Sequence, residues 1–150
     1  MFRISRKQRY LPFAAALLVA TVIACDDDPT DIEEHEPDVD SVQLVIGGTT
    51  VTISGTGVVT GGPVTIPVGN TSIVATFLNA DGDPDPIAMS DEFRLEIVSD
   101  DEDVVSFTST GGFAGTLVGG EAGATVIDVQ LFHIEEGHED FSQPLPVTVE

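Results

Sequence analysis

The groups that could do chemistry in this 150-residue chain are one thiol, three imidazoles and 26 carboxylates. Cys25 is the only cysteine, so no internal disulfide can form, and its reactivity is that of a single thiolate available as an alkyl acceptor. His35, His133 and His138 are the imidazoles. Carboxylates suit hard cations such as Ca²⁺, which takes six to eight oxygens. Imidazoles added to them extend the choice to Zn²⁺ or another transition metal. A nucleophilic serine needs an activated base beside it, and no serine here has a recognisable nucleophile context.

The thiol stands at the end of a distinctive segment. MFRISRKQRYLPFAAALLVATVIAC begins with Arg3, Arg6, Lys7 and Arg9 and continues into an apolar run from Leu11 to Ala24. That run is too short for a stable membrane-spanning helix and fits a secretory leader. Its last residues, Val22-Ile23-Ala24-Cys25, resemble the lipobox of bacterial lipoproteins: an aliphatic residue, a tolerated one, a small one, then cysteine. The resemblance implies a diacylglycerol on Cys25, cleavage after Ala24 and acylation of the new amino end. Several acyl chains on one residue anchor stably, each buried methylene contributing roughly 0.8 kcal/mol. The plainer reading is an ordinary leader with a chance cysteine, and the placement of a sole cysteine at the end of the apolar run argues against it. Asp26 follows directly. An acid there accompanies inner-membrane retention in some diderm bacteria and surface display in others, so the expected place is the cell envelope. The outer membrane or cell surface is favoured and the inner membrane stays open.

All acids lie after position 24, where Arg94 is the sole basic side chain, so the exported part carries 1 − 26 = −25. Such a polymer is repelled by nucleic acid, which excludes that partner class. The acidity has three readings: cation binding, solubility of an exposed protein, or adaptation to a saline habitat. It is densest in DDDPTDIEEHEPDVDS, residues 26–41, which has almost nothing to bury and reads as a disordered tether stretched by self-repulsion. Extended, it reaches on the order of 50 Å. His35 within it reads as incidental, because a flexible segment loses entropy on binding.

The elements that must position the other groups are strands. Apolar residues alternate in Val42-Leu44-Ile46, Ile73-Ala75-Phe77, Phe93-Leu95-Ile97, Ile127-Val129-Leu131 and Leu145-Val147-Val149. Gly47-Gly48, Asp81-Gly82 and Gly111-Gly112 are among the turn signals between them. No stretch has helical spacing of useful length. The reading is all-β: a two-sheet sandwich with strands A 42–46, B 71–78, C 92–98, D 103–107, E 113–118, F 123–133 and G 145–149. The stretches IPVGNTSIVATFLNADGDP, DEDVVSF, GTLVGGEAGATVIDVQL and LPVTVE are similar to bacterial immunoglobulin-like domains of the group 2 type, over about residues 62–150. That likeness implies an immunoglobulin-like β-sandwich of about seven strands, used for adhesion, spacing or accessory binding. The chain departs from the family pattern in two ways. The usual third-strand tryptophan is missing, with Phe93 and Leu95 in that region, and an extra glycine-rich hairpin falls near 49–62. The expected organisation is a leader over 1–24, a lipidated Cys25 with its tether to 41, and the domain over 42–150.

In that sandwich the B–C and F–G loops emerge at one pole. The first, NADGDPDPIAMSDE, brings Asp81, Asp83 and Asp85; the second, IEEGHEDFSQP, brings Glu135, Glu136, His138, Glu139 and Asp140, with His133 closing strand F. The candidate metal ligands are therefore His133, His138, Glu135, Asp81, Asp83 and Asp85, for Ca²⁺ or a Zn²⁺-type ion. The spacing does not single out one ion: the glycine of Asn79-Ala80-Asp81-Gly82-Asp83 comes too early for an EF-hand loop, and Asp-Gly is first a turn-former. The competing reading is a polar rim that only faces water. The Asp100-Asp101-Glu102-Asp103 run belongs at the opposite pole, as a solvated turn.

No enzyme is expected. The single cysteine is committed to lipid, a sandwich of this size leaves little material for a sugar-sized cleft between carboxylates, and the glycines punctuate strands rather than cradle phosphate. Two functions compete, with a third behind them, a calcium-rigidified adhesin whose acids act structurally. One is a membrane-anchored, non-catalytic module that adheres to, spaces or supports an envelope protein. The other is a metal-binding accessory lipoprotein of an envelope transport system.

Overall fold

The computed structural model describes residues 36–150. The leader, Cys25, His35 and the first part of the tether lie outside the described residues. Ten strands follow in order: β1 (Ser41–Ile46), β2 (Thr49–Ser54), β3 (Val59–Thr60), β4 (Val64–Ile66), β5 (Gly69–Leu78), β6 (Phe93–Ser99), β7 (Val105–Gly111), β8 (Ala114–Gly119), β9 (Gly123–His133) and β10 (His138–Val149). They form a six-stranded sheet, β3-β2-β1-β5-β8-β7, and a four-stranded sheet, β4-β10-β9-β6. Every pairing is antiparallel except β4 with β10.

The order defines the topology. β1, β5, β8 and β7 take the A-B-E-D places of an immunoglobulin-like sandwich, and β6, β9 and β10 take C-F-G. The extra hairpin expected near 49–62 is β2 with β3, added outside β1. It starts from a two-residue turn in which Gly47 and Gly48 have φ of 54° and 92°. Positive φ at both central residues matches the right-handed twist of the paired strands, and glycine reaches it without steric cost.

Alternation produces the core. The inward residues of β1, β5, β6, β9 and β10 are buried in one apolar cluster with Val51, Ile53, Val105 and Leu117. Phe77 sits centrally and meets Phe113 and Phe141 edge-on, with ring centroids 6.0 and 5.8 Å apart. Phe93 and Leu95 are both buried on β6. Each such side chain stabilises the fold by about 1.5–3 kcal/mol through the apolar area removed from water.

The structure differs from the sequence reading most in the last strand. The stretch expected to be an F–G loop, 134–144, is mainly strand: β10 starts at His138, and only Ile134–Gly137 turn. Pro144 concealed this, whereas Pro146 already falls within the strand expected over 145–149. They pair with Asp128 and Val126 of β9, while β4 covers the other side of β10 only from Val147 onward. On an open strand side a missing N–H breaks no ladder bond. At the other end, Val39 packs against the core and the Asp40 N–H donates to the Leu78 carbonyl at 2.9 Å. Strand pairing is thus in place at Ser41, one residue before the expected domain start.

Candidate functional site

The pole that carries the B–C and F–G connections is built by β5, β6, β9 and β10. In the β5–β6 connection, the Asn79 side-chain oxygen accepts from the Asp81 and Asp83 N–H groups, both at 3.1 Å. Leu78 bridges to Pro84, which closes the loop on itself. Asp85 is buried, and its Oδ1 accepts from the N–H of Ala88 at 2.7 Å and of Ile87 at 2.9 Å. It acts as the cap of the turn that seats the fully buried Ala88. Capping satisfies donors that burial would otherwise leave unpaired. Asp81 and Asp83 stay exposed.

The β9–β10 hairpin is organised differently. His133 and His138 face each other as direct cross-strand partners on either side of the turn. The turn closes with the Gly137 N–H donating to the His133 carbonyl at 2.9 Å, and Gly137 has φ of 73°. A shift of register between Glu139 and Phe141 then lets Phe141 point into the core, with Asp140 between them outside the regular ladder.

Four side chains converge as a result. Glu136 Oε2 lies 3.6 Å from His133 Nδ1 and 3.4 Å from His138 Nδ1. Asp140 Oδ1 lies 2.7 Å from His138 Nε2, and its Oδ2 is 3.8 Å from His133 Nδ1. One ligand atom each from His133, Glu136 and His138 falls within 4.8 Å of the others. His133 is the fixed member: its ring lies against the buried Phe93 ring at 4.5 Å, tilted by 30°. His138 and Glu136 are about half exposed, so the group opens to solvent on one side. Arg94, the sole Lys or Arg among the described residues, is bound by Glu96 at 2.9 Å and lies over the Phe132 ring.

Of the six ligands expected from sequence, the structure brings together His133 and His138. Glu135 is exposed on the turn, and its neighbour Glu136 is the one that meets both rings. Asp81, Asp83 and Asp85 belong to the other connection and are not members of the converging group. Asp140 was not among the six; the signal for it is the hairpin register, visible only once 138–144 is read as strand. Two imidazoles beside two carboxylates can exchange protons, form ion pairs, or ligate a cation with mixed nitrogen and oxygen donors. The Asp100–Asp103 turn is at the far pole, where the Asp101 side chain accepts from the Asp103 N–H at 3.1 Å.

No protein-family model matches the chain, and no curated protein matches it. Among solved structures it is similar to domains 4 and 5 of the S-layer protein SbsC, with 13% sequence identity and a TM-score of 0.41. The match covers 73% of this chain and 76% of that one.

Proposed function

We propose that this protein is an envelope-anchored, non-catalytic immunoglobulin-like module, held to a bacterial membrane by an acylated Cys25 and used for adhesion, spacing or support of an envelope protein. The reading rests on one observation: a sandwich of this topology begins at Ser41, directly behind the acid-rich segment that follows the lipobox-like cysteine. Carboxylates in that segment repel one another and anionic headgroups, which keeps the domain away from the lipid surface. β9 alone, at 11 residues, spans roughly 35 Å, so the domain adds its own length to the reach of the tether. The tether joins at the Leu78 end of β1, the same pole as the histidine hairpin, and the Asp100–Asp103 turn lies at the other. Expression of the full chain in a diderm bacterium tests this. Cys25 carries diacylglycerol by mass spectrometry, and Cys25→Ser moves the protein out of the membrane fraction. An unmodified Cys25, or a Cys25→Ser protein that fractionates like the parent, would refute it.

A further inference from the structure

We propose that the β9–β10 hairpin is a binding site for a Zn²⁺-class transition-metal ion, with His133 Nδ1, His138 Nδ1 and Glu136 as ligands and Asp140 as the residue that orients His138. The site stands independently of whether Cys25 is acylated.

The distances carry the inference. A tetrahedral ion with bonds of about 2.0–2.1 Å to nitrogen and oxygen requires donors separated by roughly 3.3 Å. Glu136 Oε2 is already 3.4 and 3.6 Å from the two Nδ1 atoms, and one ligand atom from each of the three residues lies within 4.8 Å of the others, so closure draws the two rings together by at most about 1.5 Å. The two histidines are paired across the hairpin, Glu136 stands in the four-residue turn between them, and the Phe93 ring holds His133 in place. Pre-set donors lose less conformational entropy on binding.

Asp140 supplies the outer support that metal-bound histidines use. Its Oδ1 lies 2.7 Å from His138 Nε2, while the other ring nitrogen, Nδ1, is the one that faces Glu136. A carboxylate that takes the Nε2–H of a metal-bound histidine fixes its tautomer and ring orientation, and Asp140 is within reach of that role. Charge points the same way. Glu136 and Asp140 bring two carboxylates into one small volume, and Arg94 is engaged by Glu96. A divalent cation neutralises them. The donor set also selects the class of ion, since two nitrogens and few oxygens match Zn²⁺ better than Ca²⁺, which needs six to eight oxygens. The fourth position faces solvent and is left to water.

The experiment uses the full chain in detergent, stripped with chelator and titrated with ZnCl₂, CoCl₂ or CaCl₂. One equivalent of Zn²⁺ binds and raises the thermal midpoint by at least about 5 °C at a hundredfold excess over Kd, because it binds the native state alone. Co²⁺ at the same site gives the intense visible absorption of a low-coordinate centre, and Ca²⁺ produces neither effect. The double substitution His133→Ala/His138→Ala abolishes the Co²⁺ spectrum. Asp140→Asn, on the exposed side of the hairpin, keeps the fold and weakens Zn²⁺ binding by about 10–100-fold. Should the double variant fail to fold, His138→Asn alone is read instead, and it must lose the Co²⁺ spectrum. The proposal is overturned by the absence of saturable Zn²⁺ binding, or by binding that survives these hairpin substitutions and disappears in His35→Ala.

Discussion

In the β5–β6 connection, Asn79 and Asp85 turn their side-chain oxygens onto backbone N–H groups two to four residues ahead. In the β9–β10 hairpin, the ring nitrogens of His133 and His138 and the carboxylates of Glu136 and Asp140 turn toward one another. Both regions are acidic and both sit at the same pole. The difference lies in backbone geometry. An irregular loop has free N–H donors, and short Asn and Asp side chains satisfy them first. A hairpin satisfies its donors through the ladder, so its side chains are free to meet across the strands. Acidity alone therefore says little about a site.

That contrast can be tested by substitution, beginning with the largest effect. Asp85→Ala removes the acceptor from two N–H groups in a buried turn and should destabilise the domain by about 2–3 kcal/mol, read from denaturant midpoints. Its Zn²⁺ response should remain, because the hairpin is untouched. A loss below about 0.5 kcal/mol would remove the structural role assigned to that carboxylate.

Gly137→Ala places a side chain at φ 73°, which should cost about 1–2 kcal/mol. The strain falls where the turn closes on His133, so Zn²⁺ affinity should drop with it. Unchanged affinity in a calorimetric titration would show that the register of the turn does not set the ligand geometry.

Glu136→Gln separates metal binding from folding. The side chain is exposed enough that stability without metal should change by less than about 0.5 kcal/mol. Zn²⁺ affinity should still fall at least tenfold, an outer-shell change already costing that much. The smallest effect belongs to Asp81→Asn/Asp83→Asn. Their side chains are exposed and lie outside the converging group, so stability should stay within about 0.5 kcal/mol and the Zn²⁺ isotherm should not move. A weakened isotherm would return the β5–β6 acids to the ligand set.

Much of the fold was legible in the residues because strand alternation is a two-residue signal that burial reinforces. β9 runs over Gly123–His133 as its inward Ile127, Val129 and Leu131 require. The β1–β2 turn was legible from Gly47-Gly48. Legibility failed where two rules competed. Pro144 and the polar His138-Glu139-Asp140 read as loop, because proline is a strand-breaker until one side of the strand is known to be open. With 138–144 taken as loop, nothing distinguished Glu135 from Glu136, and Asp140 had no partner. The register supplies both: His133 opposite His138 fixes which turn residue faces the rings. Asp85 failed for another reason. Its sequence neighbourhood, Asp81-Gly82-Asp83-Pro84-Asp85, looks the same whether a carboxylate caps a turn or binds an ion, and only its burial beside Ala88 decides.

The claim on which the account turns is that cross-strand pairing, rather than abundance of acid, assembles the donors. Isotope-edited NMR of the full chain during a Zn²⁺ titration tests it directly. One equivalent should shift the ring signals of His133 and His138 and the carboxyl signals of Glu136 and Asp140, leaving the amides of Asp81, Asp83 and Asp85 in place. Shifts centred on the β5–β6 acids, or histidine rings that stay still while metal binds, would contradict it.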